Sequence, residues 1–477
     1  MTPDRTQSSR VRSVAATSPG PTRKPARRAD PAREAAFQVL RAVDERAAYA
    51  NLALPGLLRQ RGITGRDAAL ATELCYGTLR TLGTLDAILA QASSRPLGRI
   101  QAPVRDALRL GGYQLLYTRM PPHAAVDSTV ALVRGQHGHR ATGFVNAVLR
   151  RVAEHDLDDW LEQITPSDPT AALAVRHAHP EWVVRAFVDA LDGDLDEAAA
   201  ALAADNRRPI VHLAGLPGRI DPATLADQAS GQPGLYSPYA VYLPEGGAPA
   251  EIAAVAQRLA TVQDEGSQLV ALATAGAVVS GEDHRWLDLC AGPGGKAVLL
   301  GALARQRNAE VTAVEVAGHR ARLVREATRD LPVRVVHADG RQVGDHPGLP
   351  TDGFDRVLVD APCTGLGALR RRPEARWRRT PGDLAALTVL QRQLLAAGLR
   401  AVRPGGVLGY VTCSPHLDET AAVIDQFSRE FDDILVRLDA RSLLPGVPDL
   451  GSGPSVQLWP HRHGTDAMFL ALFLRQR

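Results

Sequence analysis

Lysine is almost missing from this chain. Lys24 and Lys296 are the only two in 477 residues, although arginine is abundant. With Ala, Gly and Pro also frequent, this reads as the codon bias of a GC-rich genome, and it makes Lys296 a residue with a specific role to explain. Cysteine is scarce too: Cys75, Cys290, Cys363 and Cys413 form no CxxC pair and no Cys/His cluster. That excludes a disulfide framework, leaves no metal site to expect, and points to the cytoplasm, where free thiols stay reduced. No window of 18 or more uncharged apolar residues occurs, so no membrane span is expected. The Arg-, Ser- and Pro-rich start has no apolar h-region, which argues against a secretory leader.

What is present is unevenly spread. Residues 1–30 carry seven basic groups against Asp4 and Asp30, so the other 447 residues sum to −2 within a chain of +3. Residues 1–29 have too little apolar content to pack and read as a disordered basic tail. Residues 30–155 read as an all-α bundle. Val126, Val130 and Val133 recur at helical spacing, Phe144, Val145, Val148 and Leu149 repeat it, and Pro121-Pro122 and Gly138 punctuate the boundaries. Residues 156–254 suggest a linker helix beginning at Pro180 and a small α+β module with a strand at Ile210–Leu213. From 255 to 477, strands and helices alternate. Strands are expected at Trp286–Cys290, Val311–Glu315, Val333–Val336, Arg356–Asp360, Val407–Thr412 and Met468–Leu474. This α/β pattern predicts a parallel, doubly wound, Rossmann-like sheet with its ligand beyond the strands' carboxyl ends.

Chemistry collects at those ends. In Asp288-Leu-Cys-Ala-Gly-Pro-Gly-Gly-Lys296 the small residues let a ligand approach the backbone. The spacing is not GxGxxG, and a proline inside the turn suits a sulfonium nucleoside better than a pyrophosphate, so S-adenosylmethionine is the expected ligand. Glu315 ends the second strand, where a carboxylate can take ribose hydroxyls. Asp339 follows the third, in reach of an adenine amino group, and Asp360 ends the fourth, facing the reaction centre. Cys363 in Asp-Ala-Pro-Cys-Thr-Gly and Cys413 in Val-Thr-Cys-Ser-Pro stand at strand-to-loop junctions on the same edge. Two thiols near a methyl donor suggest a thiolate adding to C6 of a cytosine, making C5 rich enough in electrons to take a methyl group. Cys75 reads as a small buried hydrophobe, as does Cys290 apart from its backbone.

Together, Asp288–Lys296, Asp360-Ala-Pro-Cys363 and Thr412-Cys413-Ser414 resemble the RNA cytosine-C5 methyltransferases of the NOL1/NOP2/Sun family. The resemblance implies that Cys413 is the nucleophile and that Cys363 assists product release. It implies cofactor contacts by Cys290, Ala291, Gly292, Pro293, Gly294, Gly295 and Lys296, with Glu315, Asp339 and Asp360, and it puts Lys296 at the catalytic centre, where it and Asp360 orient or protonate the base. The chain departs from the family in Gly292, where alanine is frequent, in Ala297, where threonine is usual, and in Glu315, where aspartate is frequent. Leu108–Tyr117, Pro121–Val126 and Gly143–Arg150 resemble the NusB-type RNA-binding helical domain, a fusion found in the bacterial Sun (Fmu) branch. That branch implies a cytosine in small-subunit (16S) ribosomal RNA as substrate. Arg370–Arg379 holds six arginines and Trp377 beside the expected site and reads as an RNA contact. A monomer suffices for all of this. The alternative is an RNA-binding, antitermination-type factor whose methyltransferase domain is inactive.

Overall fold

The computed structural model describes residues 30–244 and 249–476, so the basic tail expected at 1–29 lies outside the described residues. Every regular element from Pro31 to Val152 is helical. The first helix, Pro31–Arg46, starts where Asp30 accepts the Arg33 N–H, a side-chain cap that satisfies one of the orphan donors of the first turn. The apolar stripes of this region meet in one core around Phe37, Leu40, Leu85, Leu108, Val126 and Val145, with Cys75 buried among them.

Four short helices follow, Leu157–Ile164, Pro169–His177, Glu181–Ala190 and Leu195–Asn206, where a single linker helix was expected. Three of them announce themselves by capping aspartates, Asp156, Asp168 and Asp194. They do not form a free-standing layer: Val183, Val184, Phe187 and Leu202 pack on Leu366, Leu369 and Trp459 from the far end of the chain. Next comes a four-stranded antiparallel sheet of β1 (Val211–Gly215), β2 (Gln232–Pro233), β3 (Ala240–Leu243) and β4 (Ala260–Val262), in the order β2-β3-β1-β4. Its fourth strand lies beyond residue 254.

The large sheet contains β5 (Arg285–Asp288), β6 (Glu310–Val314), β7 (Val333–Val336), β8 (Phe354–Asp360), β9 (Val402–Thr412), β10 (Leu435–Leu438), β11 (Val456–Gln457) and β12 (Phe469–Arg475). Strands β7-β6-β5-β8-β9 are parallel neighbours. Helices cover both faces, so Val357–Val359 and Val407–Val411 are buried without alternation. The sheet is mixed, not parallel throughout: β12 inserts antiparallel beside β9, with β10 antiparallel beyond it and β11 paired to its start. Strands β10 and β11 escaped the sequence reading because each is short and lies at an edge of the sheet.

Candidate active site

The parallel register sets the ends of β5, β8 and β9 side by side, with Asp288 opposite Leu358 and Asp360 opposite Val411. Cys363 follows the end of β8 and Cys413 the end of β9, and their sulfurs are 3.4 Å apart. The loop after Cys363 is tied down over Cys413. Gly367 donates its N–H to the Cys413 carbonyl (2.8 Å) and accepts from Ala467 N (2.9 Å). A Cβ on Gly367 would lie 2.0 Å from the Ala467 carbonyl oxygen, so only glycine fits. Behind the thiols, buried Glu419 accepts from the Thr364 N–H (2.7 Å), the Thr364 hydroxyl and Gln391 Nε2 (3.1 Å), and Gln391 also donates to the Pro362 carbonyl (2.9 Å). Sequence reasoning missed Thr364, Gln391 and Glu419. Thr364 adjoins a singled-out cysteine and was the one legible signal; Gln391 and Glu419 come from other elements.

The two thiols share one hydrogen bond and have different charged neighbours. Cys413 accepts a hydrogen bond from Cys363, which lowers its pKa against the cost of burial and the charge of Asp360, and Lys296 assists. Cys363 is pushed well up by its hydrogen bond to Cys413, by burial, and by Glu419 on its other side. The hydrogen bond between the sulfurs favours the thiolate on Cys413 and the thiol on Cys363, with Glu419 adding to the second effect, while Lys296 and Asp360 act on Cys413 in opposite directions. Lys296 donates to Asp360 Oδ2 at 2.8 Å. Burial pulls this ammonium down, but Asp360, with Cys413 and Asp288, more than offsets it and leaves its pKa raised.

Lys296 reaches that position from the first turn of the helix Gly295–Gln306, which the glycine turn feeds. Leu289 and Ala291 fix the turn by donating to the carbonyls of Leu358 and Val314. Asp288 lies beneath it, fully buried, and neither carboxylate oxygen meets a hydrogen-bond partner in good geometry. Burial and the charge of Asp360 push its carboxyl up to about 7, against Lys296. Burial also raises the Cys290 thiol well above its ordinary value, with Asp288 adding to it, so Cys290 is a neutral wall. An orphaned acid under a turn with no phosphate-gripping array fits a cationic ligand.

Glu315, 4% exposed, accepts the Ala317 N–H at 2.8 Å and faces Arg320 at 3.5 Å, and Arg320 also donates to the Gly292 carbonyl. A Cβ on Gly292 would lie 2.0 Å from Glu315 Oε2. The two family departures are therefore one feature, in which the longer acid occupies the space an alanine methyl would take. Asp339 caps the short turn Gly340–Gln342 and is gripped by the Arg341 guanidinium (2.6 and 3.0 Å), which lowers its pKa.

The arginine-rich segment is corrected by the structure. Arg370 and Arg371 pair with Asp264 and Asp466. Arg376 is fully buried and donates to the carbonyls of Arg80 (3.0 Å) and Asp205 (3.0 Å) and to Asn206 Oδ1 (2.7 Å). Arg378 donates to the Ala48 carbonyl, and Arg372 and Arg378 lie over the Tyr49 ring. Even Trp377, 40% exposed, rests against Gly83. The segment is a clasp between the large-sheet region and the helices, and most of its charge is spent on the protein's own acids and carbonyls. Among the described residues no cluster of His, Cys, Asp or Glu is arranged to hold a metal, and no helix is long and apolar enough to cross a membrane.

A Rossmann-like sheet with this carboxyl edge, preceded by a helical region, defines a methyltransferase carrying an N-terminal NusB-type unit. Residues 277–474 match the family profile described as 16S rRNA methyltransferase RsmB/F, and residues 30–154 match the NusB family. A Mycobacterium tuberculosis protein carrying a provisional methyltransferase name is 54% identical over 96% of this chain and 98% of its own length. The ribosomal RNA small subunit methyltransferase B of Erwinia tasmaniensis is 32% identical over 87% of this chain and 92% of its own. The chain belongs to the RsmB/F family of 16S rRNA methyltransferases. Its fold is shared by the crystal structure of PH0851, with a TM-score of 0.78 at 20% identity, covering 93% of this chain and 98% of that one.

Proposed function

We propose that this protein methylates C5 of a cytosine in small-subunit ribosomal RNA, using S-adenosylmethionine and a transient bond between Cys413 and C6. The observation that carries this reading is the thiol pair, 3.4 Å apart at the ends of two adjacent parallel strands, with the Lys296–Asp360 pair acting on Cys413 and Glu419 on Cys363. A single buried thiol would need no such partner.

Cys413 Sγ adds to C6, the C5–C6 π pair moves toward C5, and Asp360, held by Lys296, orients the pyrimidine edge. Bound S-adenosylmethionine supplies the electrophilic methyl that C5 takes. Loss of the C5 proton to a base then restores the double bond, the Cys413–C6 bond breaks with its electron pair returning to sulfur, and Cys363 assists that release. Asp288, the turn from Cys290 through Ala291, Gly292, Pro293, Gly294 and Gly295 to Lys296, Glu315, Asp339 and Asp360 would hold the cofactor. The target cytosine must be unpaired or extruded for C6 to reach sulfur. We divide the chain into a basic tail (1–29), a NusB-like RNA-binding domain (30–155), a connecting module (156–254) and the catalytic domain (255–477), acting as a cytoplasmic monomer.

The test is a denaturing gel of Cys363→Ala and Cys413→Ala proteins, each incubated with S-adenosylmethionine and unmodified small-subunit rRNA. A persistent RNA adduct with Cys363→Ala alone is the expected result. An adduct with Cys413→Ala alone would exchange the two roles. No adduct with either would favour the RNA-binding factor with an inactive catalytic domain.

A further inference from the structure

Away from the cysteines, helices Gly65–Arg80 and Ala102–Tyr117 face helices Pro169–His177 and Leu195–Asn206 across a cavity of about 310 Å³. Three guanidiniums line it. Arg80 is only 9% exposed, whereas Arg176 and Arg208 are exposed. Among the described residues none of the three side chains makes an ion pair or donates a hydrogen bond. The buried Nε of Arg80 has no acceptor, and its guanidinium rests only on the Tyr76 ring at 5.7 Å. The one carboxylate in the lining, Glu73, accepts from the Tyr113 hydroxyl and offsets part of the burial cost of Arg80 at a distance, without forming an ion pair with it. Arg376, fully buried, adds further positive charge behind Arg80 by donating to its carbonyl. Arg376 has Asp205 and Glu374 as its own compensating acids.

Desolvating a guanidinium without a direct ion pair is costly, Glu73 offsets only part of that cost, and the like charge of Arg208 adds to it. The fold leaves open the volume in which an anion would remove that cost. Arginine forks match phosphate oxygens in pairs, and the parallel rings of Tyr113 and Tyr117, with centroids 5.4 Å apart, present an aromatic surface in the same lining.

We infer that this cavity is a phosphate site for RNA, one backbone phosphate lying among Arg80, Arg176 and Arg208 with a neighbouring base against the tyrosines. The source of the phosphate rests on the rRNA-substrate reading above; the need for an anion rests on the unpaired guanidiniums alone. Through Arg376 the site is also tied to the loop that carries Cys363.

The test measures binding of a small-subunit rRNA transcript to the full chain and to its Arg176→Ala/Arg208→Ala variant over a range of salt. Both positions are exposed, so folding is preserved. The expected result is affinity weaker by about tenfold, uniformly across sequences, and a log–log salt slope shallower by about one to two. S-adenosylmethionine affinity, and the adduct formed at saturating RNA in a Cys363→Ala background, stay unchanged. Unchanged affinity and slope overturn the inference. Inorganic phosphate that raises the melting temperature of the parent but not of the variant, with RNA affinity untouched, overturns the RNA assignment in favour of a free anion. An adduct missing from the Cys363→Ala parent bears on the C5 chemistry alone and is read separately.

Discussion

The cysteine loops and the arginine segment 370–379 are neighbours in the chain, and they teach opposite lessons about polar residues. At the cysteine loops the sequence motifs come together as they stand: Cys363 and Cys413 meet because two adjacent parallel strands deliver them to one edge. In the arginine segment the motif resembled an interface with RNA and is instead an internal clasp, with partners at Ala48, Arg80, Asp205, Asp264 and Asp466. Charge density in a sequence measures how much binding capacity is present. It does not say whether the chain itself consumes it.

Four substitutions or conditions sharpen that contrast. The largest effect is expected for Cys413→Ala, which should cut methyl transfer to rRNA on the order of 10⁴-fold or more while moving the unfolding free energy by about 1 kcal/mol at most. Substantial residual transfer would remove Cys413 from the nucleophile's role. Arg376→Met should do the reverse. It removes the donor to four acceptors of the clasp, the carbonyls of Arg80, Ala178 and Asp205 and Asn206 Oδ1, and should destabilise the fold by about 3–5 kcal/mol in denaturant titrations, with S-adenosylmethionine still bound in the native protein. Parental stability combined with lost RNA affinity would restore the segment as an RNA contact.

Gly292→Ala should weaken S-adenosylmethionine binding by about tenfold, and adding Glu315→Asp should recover most of it, a coupling of about 1–3 kcal/mol. Simple additivity in calorimetry would show that the two positions are independent. The smallest effect concerns pH. The Asp288 carboxyl, at about 7, is mostly protonated at pH 6 and mostly ionised at pH 8. A cationic ligand favours the ionised form, so its binding releases a proton and affinity should rise up to about tenfold across that interval. Asp288→Asn should flatten the profile. The stability effect has the opposite sign: the folded pKa lies above the unfolded one, so this contribution to stability is lost as pH rises from about 4 to about 7.

The helical start, the strand ends and the residues that meet at the sheet's carboxyl edge were readable as local patterns. Apolar runs ending in Asp288, Asp360 and Thr412 mark buried strands, and small residues mark a close backbone approach. The four short helices of residues 157–206 were not readable as a layer, because the core that the last three share is completed by Leu366, Leu369 and Trp459 from far along the chain. The support of the thiols by Glu419 and Gln391 was equally hidden, since buried polar partners come from different elements.

The sequence by itself determined which chemical groups the protein owns and at which end of its sheet they gather, since alternation and motif position are properties of the chain. Tertiary structure decided which of those groups are free to act. It set Cys413 and Cys363 within hydrogen-bond reach, with the Lys296–Asp360 pair acting on the first and Glu419 on the second, fitted Glu315 into the space above Gly292, tied most of six arginines to the protein's own backbone and acids, and left three others around an open cavity. Each of these outcomes depends on electrostatics and packing between residues distant in the chain, and those distances exist only in the folded molecule.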